Sequence, residues 1–234
     1  MRNECTFKYE THVHSLPASA CAYCEPEEVV DRYAAAGYSG MFLTDHFFNG
    51  NCAIPDGMPW QERVWFLCNG FQRAKRRGDK IGFNVFFGYE YNSNGAEFLV
   101  LNSSEQFLYD HPDMLDWGLR KFLRRARGAG AFVVHAHPCR DLPWIKNPKS
   151  RFPRQVDAVE VFNAAQKPEW NPPAAEYARQ CKLPAFSGSD NHDPRNLQGG
   201  GVALRKNPAT AAEFVALVKA GEYALLKNFT VSCT

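Results

Sequence analysis

The sequence predicts an α/β fold built on a mainly parallel sheet. Three observations carry that prediction. Short apolar runs alternate with segments of helical periodicity from one end of the chain to the other. No internal repeat or low-complexity stretch interrupts the alternation. Six of the seven histidines, with several acids, fall at the C-terminal ends of apolar runs, where parallel α/β folds place their ligands.

Phe7–His14 reads as the first strand. Pro26, Glu27 and Glu28 then open a helix, because Pro suits the first turn and acids suit the positive end of the dipole. Val30, Tyr33 and Ala34 give that helix its apolar face, and Gly37 ends it. Gly40–Thr44 is a short buried strand. Trp60–Arg77 is a second helix, with Arg73, Lys75, Arg76 and Arg77 near its end. Phe83–Tyr89 and Phe98–Leu101 read as strands. Pro112 starts a helix whose apolar positions Leu115, Leu119, Phe122, Leu123 and Ala126 keep helical spacing. Ala131–Val134 and Ala158–Phe162 are strands, Pro173–Gln180 a helix, and Ala185–Ser187 and Gly201–Leu204 are extended. Thr210 and Glu213 form a capping box for a last helix ending near Gly221, and Tyr223–Leu226 closes the series as a strand. The irregular segments Asn49–Pro59 and Cys139–Pro153 each follow a polar signature, so they are expected to be loops around a site.

With 234 residues, the chain is expected to form one domain over 1–234. Apolar residues make up 45% and charged residues 22%, which excludes a wholly disordered chain. No apolar stretch approaches the ~18 residues a membrane span needs. The first residues carry no apolar signal region, so a cytoplasmic protein is expected. A formal charge of +2 disfavours nucleic acid as the main partner. The eight cysteines include one CxxC, Cys21 and Cys24, without the second pair a zinc ribbon requires, and are expected to be structural, reduced thiols.

The candidate chemistry lies in five clusters. His12 and His14 are two apart, so on a strand both imidazoles face one side. Asp45 and His46 follow the GMFLT strand. Glu90 lies in GYEY, His135 and His137 in HAHPCR, and Asp190 and His192 in SGSDNH, where small residues let the backbone approach closely. Alone, each cluster admits a plain alternative: surface histidines, an Asp45 cap, a Glu90 surface ion pair. Together they suggest several cations sharing a bridging carboxylate. Imidazole and carboxylate donors without paired thiolates suit Zn, Mn or Fe.

The series THVH (11–14), TDH (44–46), GYE (88–90), HAHPCR (135–140) and SGSDNH (187–192) resembles the PHP family, named for polymerase and histidinol phosphatase. The match runs from about Phe7 to Gly201, and VDAVEVFNA (156–164) resembles the family's strand before the last motif. The resemblance implies a distorted (β/α)7 TIM-like barrel with two to three divalent transition-metal ions at the carboxyl ends of the strands. It places one metal on His12, His14, Glu90 and Asp190, a second on Glu90 and His137, and a third on His46 and His192. Asp45 is carried as a further candidate ligand. Two departures stand out. The extra His that trinuclear members carry just past HxH is missing from Ser15–Cys24, so the third metal is weak, absent or completed by another group. Where many members supply a His after the Glu motif, NGAEFLVL offers only Glu97.

The implied activity is hydrolysis of a phosphate ester by a hydroxide bridging two metals, with a small phosphomonoester (histidinol phosphate, a nucleotide or a sugar phosphate) as substrate. Arg140 is the first candidate phosphate clamp and Arg195 the second. Asp190 or His192 would protonate the leaving group. His135 either lines the phosphate pocket or satisfies a backbone carbonyl. A nucleic-acid exonuclease and a non-catalytic metal-binding module are the rival readings.

Overall fold

The computed structural model describes residues 6–143, 145 and 150–227. Its strands are β1 (Phe7–Glu10), β2 (Gly40–Leu43), β3 (Asn84–Ser93), β4 (Ala96–Leu101), β5 (Phe132–Ala136), β6 (Ala158–Asn163), β7 (Ala185–Gly188), β8 (Val202–Leu204) and β9 (Tyr223–Leu225). The helices are α1 (Pro26–Ala35), α2 (Trp60–Ile81), α3 (Glu105–Tyr109), α4 (Leu119–Gly128), α5 (Asn171–Cys181) and α6 (Ala211–Lys219).

The strands form one sheet in the order β7-β6-β5-β4-β3-β2-β1-β8-β9. Strands β1, β2 and β3 pair in parallel, as do β5, β6 and β7. Strand β4 runs against both β3 and β5, and β8 runs against both β1 and β9. The β3–β4 reversal is a two-residue turn, Asn94-Gly95, with both residues at positive φ, the hairpin geometry that matches strand twist.

The sheet curls into a nearly closed barrel. Beyond β1, Val13 bridges Asn191, and the His14 N–H donates to the Asn191 carbonyl at 3.0 Å. The Glu10 carboxylate ties the same seam by accepting the Ser189 N–H at 3.0 Å. Alternate strand residues fall into two apolar layers. Phe42, Phe86, Leu99, Phe132, Val134 and Phe186 face inward and meet Phe214 and Val218 of α6. Met41, Leu43, Val85, Phe87, Val100 and Val133 face outward, toward a layer that includes residues of α1, α2 and α4. Along the inner face the composition changes: Phe86 gives way to Gly88 and Glu90 on β3, and Ala158 to Glu160 on β6. The barrel is therefore apolar at one end and acidic at the carboxyl ends of its parallel strands.

All nine expected strands form, with changed limits. The ladder of β1 stops at Glu10 rather than His14, because the chain there leaves β2 to join the segment after β7. Strand β3 runs on through Glu90 to Ser93. The helix expected from Pro112 is broken: Met114–Asp116 makes one 3-10 turn, Trp117 is extended, and α4 begins only after Gly118. Helix α2 continues past Arg77 to Ile81 and ends on left-handed Gly82. Short α3, capped by Ser104, has no counterpart in the sequence reading. In the loop Cys139–Pro153, residues 144 and 146–149 lie outside the described residues, as does the N-terminal segment read for a signal. No helix among the described residues is long and apolar enough to cross a membrane.

Candidate metal centre

The five clusters converge at the carboxyl end of the barrel, from β1, β2, β3, β5 and β7. Neighbouring strands set their register: the Glu90 N–H donates to the Asp45 carbonyl (3.0 Å), and the Phe47 N–H donates to the Glu90 carbonyl (2.8 Å). Glu90, 1% exposed, sits at the centre. Its Oε1 lies 3.3 Å from His12 Nε2 and 3.1 Å from His137 Nε2. Its Oε2 lies 2.8 Å from His46 Nδ1 and 3.6 Å from His14 Nε2. Asp190 Oδ1 is 3.3 Å from His12 Nε2 and 3.2 Å from His14 Nε2. Glu97 Oε2 lies 3.7 Å from His137 Nε2.

These spacings suit ligands of shared cations. Two donors each about 2.0–2.2 Å from one ion stand about 2.8–3.6 Å apart at octahedral or tetrahedral angles. The donor atoms are also buried without hydrogen-bond partners: His12 Nε2, His14 Nε2, His46 Nδ1 and Glu90 Oε2. Such orphaned atoms are costly unless something binds them. Four overlapping groups, each with donors within 4.8 Å of one another, are His12/His14/Asp190, His12/Glu90/His137, His46/Glu90/Glu97 and His14/His46/His192. The residues present therefore fit divalent metal ions.

Charge follows the same plan. Burial pushes the Glu90 and Asp190 carboxyls up, but the surrounding imidazoles, His12 foremost, bring both well below the usual range. Burial lowers His12, yet Asp190, Glu160 and Glu90 raise it well above the usual imidazole value. His14, buried and facing His192 and His46, is held well below it. Burial would raise the Cys21 thiol, but hydrogen bonds with His192 and His46 bring it down to about 7.

A second set of residues aims the first. Glu160, fully buried, takes His12 Nδ1 on Oε1 (3.1 Å) and accepts the His137 N–H on Oε2 (2.8 Å). The His192 Nδ1–H donates to the Asp190 carbonyl (2.8 Å), and Gln166 donates to Asp190 Oδ2 (2.8 Å). Asn92 donates to Glu97 Oε1 at 3.0 Å. His137 and Asp190 both have positive φ, 25° and 55°, a conformation unfavourable for residues other than glycine and concentrated at functional sites. Gly188 is required for contact: a Cβ there would lie 2.5 Å from Glu160 Oε1 and 2.6 Å from His12 Cβ. Glu160, Gln166 and Cys21 were not singled out in the sequence as site residues. The available signal for Glu160 was a lone acid between Val159 and Val161 in an apolar strand.

Of the expected site residues, His12, His14, His46, Glu90, Glu97, His137, Asp190 and His192 come together. Asp45 stands outside this set. Its Oδ1 accepts from the Ser15 N–H (2.6 Å) and the Ser19 hydroxyl (2.8 Å), and its Oδ2 from the Ser15 hydroxyl (2.9 Å), so it holds the loop after His14. His135 is not on the wall of the cleft, and among the described residues its Nδ1 meets no carbonyl. It faces outward among Phe98, Phe152 and Tyr177, because strand alternation puts it opposite Ala136. Arg195 is forked on Asp193 at the surface. Arg140 lies 3.3 Å from Glu97 Oε2 and lines, with Asn49, Asn51, Glu97 and His192, a cleft of about 720 Å³.

Neither a family model nor a curated protein matches the sequence. Solved structures do match in fold. A two-domain protein containing a predicted PHP-like metal-dependent phosphoesterase, from Bacteroides vulgatus, superposes with a TM-score of 0.72 at 16% identity over 97% of this chain; the match spans 66% of that longer chain, just under two thirds. A protein provisionally designated a metal-dependent phosphoesterase, from Bifidobacterium adolescentis, gives 0.57 at 13% identity over 91% of this chain and 96% of its own. An amidohydrolase from Chromobacterium violaceum, with bound sulfate and no metal, gives 0.55 at 16% identity over 93% and 98%. The likeness of fold agrees with the resemblance carried by the five motifs: this chain has the architecture of the PHP-like metal-dependent phosphoesterases.

Proposed function

We propose that this chain is a metal-dependent phosphoesterase acting on a small phosphomonoester. The observation that carries the reading is the position of Glu90. One of its oxygens faces His12 and His137, and the other faces His46 and His14. That is the placement of a carboxylate shared between cations. His12, His14 and Asp190 would hold one ion, Glu90 and His137 with Glu97 a second, and His46 and His192 border a third. Two to three divalent ions of the Zn, Mn or Fe class are the cofactors of this reading. Bound there, such ions stabilise charge on phosphoryl oxygens and make water nucleophilic at neutral pH.

The chain's own groups do the rest. The Arg140 guanidinium, at the cleft wall and a fifth exposed, binds the phosphoryl oxygens and the charge that grows on them. Asp190 and His192, on the loop after β7, are the residues from which the leaving alkoxide would take its proton. Small substrates are favoured over nucleic acid because several of the basic residues that cluster at Arg73–Arg77 and Arg120–Arg127 are paired with acids: Arg73 with Glu25 and Glu27, Lys75 with Asp79, Arg77 with Asp31 and Arg127 with Asp157. Strand binding needs such charges free to meet phosphates.

Elemental analysis of the purified protein, paired with a hydrolysis panel of phosphomonoesters, dinucleotides and N-acyl amides, tests the reading. It expects about two or more transition-metal ions per chain and metal-dependent phosphate release. Amide or dinucleotide turnover without phosphomonoesterase activity would replace the substrate assignment, and protein that binds no metal would remove the reading.

A further inference from the structure

We propose that Cys21 supplies a thiolate ligand to a cation held by His46 and His192. The inference rests on the metal-dependent reading above and assigns a further ligand to the third site, in the segment Ser15–Cys24 where the extra histidine past His14 is missing. Donor nitrogens of His14, His46 and His192 lie within 4.8 Å of one another. The His14 ring stacks on both neighbours, with centroids 4.4 Å from His46 and 4.3 Å from His192. Three imidazoles gathered this closely leave His14 Nε2 and His46 Nδ1 buried and unpartnered. A cation on that side resolves the crowding, and it needs a further donor.

Cys21 shares the wall of the same cleft as His46 and His192, close enough for its thiol to interact with both imidazoles. The backbone on either side of it is pinned to the site. The Ala20 N–H donates to the Asn51 carbonyl (2.9 Å), and the Tyr23 N–H donates to the carbonyl of His192 itself (3.0 Å). The sulfur is thus held beside the two imidazoles by bonds that do not involve a metal. Cys24, the other half of the CxxC, turns away: its Sγ approaches Asp193 Oδ1 at 3.9 Å. The two sulfurs have different neighbours, so the motif is not a chelating pair here. A site of two imidazoles and one thiolate favours zinc, iron(II) or cobalt over manganese, whose preferred donors are oxygens.

Titration of chelator-treated full-length protein with cobalt(II) tests the assignment by absorption spectroscopy. A cobalt–thiolate bond gives a charge-transfer band in the near ultraviolet that imidazole and carboxylate ligands lack. The expected result is that band in the unsubstituted protein, its loss in Cys21→Ser with about one fewer cobalt bound per chain, and its persistence in Cys24→Ser. Cys21→His should restore the cobalt count without the band, which separates loss of a ligand from misfolding. Cobalt bound with no thiolate band, or a band that survives Cys21→Ser, overturns the role of Cys21 and leaves the metal-dependent reading standing. Failure of the unsubstituted protein to bind cobalt or zinc at all overturns both.

Discussion

Glu160 Oε1 lies 3.1 Å from His12 Nδ1, and neither residue is exposed to solvent. The pair fixes which nitrogen of His12 faces the centre: Nδ1 carries the hydrogen toward Glu160, and Nε2 is left to bind a cation. The second oxygen of Glu160 accepts the backbone N–H of His137 and the side chain of Asn163. One carboxylate thereby orients two candidate ligands.

Both oxygens of Glu160 act as acceptors, and an amide has only one acceptor oxygen. Glu160→Gln should therefore weaken metal binding by about 10- to 100-fold, the usual cost of losing an outer partner of a ligating histidine. Competition against a chelator of known affinity measures this directly. Unchanged affinity would mean that His12 is held by packing alone.

The strands and helices of the α/β fold were legible in the sequence because the strands are short apolar runs between clear turn signals; the barrel was implied only by the resemblance that the five motifs carry. The candidate ligands were legible because they follow those runs. What stayed hidden depends on which face a residue takes. His135 and His137 share the HAH motif, yet His135 keeps the outward alternation of β5 while His137 escapes it through a positive φ. Glu160 looked like one acid in a strand; alternation after Ala158 puts it on the inner face, and only closure of the barrel brings His12 opposite it. Cys21 read as half of a CxxC because spacing along the chain cannot reveal that Tyr23 is tied to His192. The broken helix after Pro112 has a local cause as well, since the Trp117 indole donates to Asp113 Oδ2 at 2.7 Å and Gly118 follows it.

Arg140 reaches Glu97 but no candidate nitrogen ligand, and a guanidinium does not ligate cations. Arg140→Ala should leave metal content intact and lower turnover by about 10²–10³, the usual effect of removing one preorganised donor. Lys should restore only part, because a point charge lacks the bidentate fork. Elemental analysis beside steady-state rates checks both halves. Stripped metals would make Arg140 a structural support of Glu97.

His135 gives the metal-free protein an acid-sensitive point. Burial, with His137 adding to it, pushes its imidazole down to about 3. The unfolded chain takes up that proton near about 6.5. The stabilisation is therefore complete above about 6.5 and is lost progressively as pH falls toward about 3. His135→Leu should move the acid-unfolding midpoint, followed by circular dichroism, to lower pH. An unmoved midpoint would show that protonation elsewhere governs acid unfolding.

The most direct test of the account is reconstitution of phosphomonoesterase activity in chelator-treated protein, with inorganic phosphate release read as zinc or manganese is titrated back. The account predicts no release at the start, recovery that levels off only after at least two ions per chain, and no recovery in His14→Ala, which lacks a donor at the centre. Release that persists after complete metal removal, or that recovers equally in His14→Ala, would contradict it.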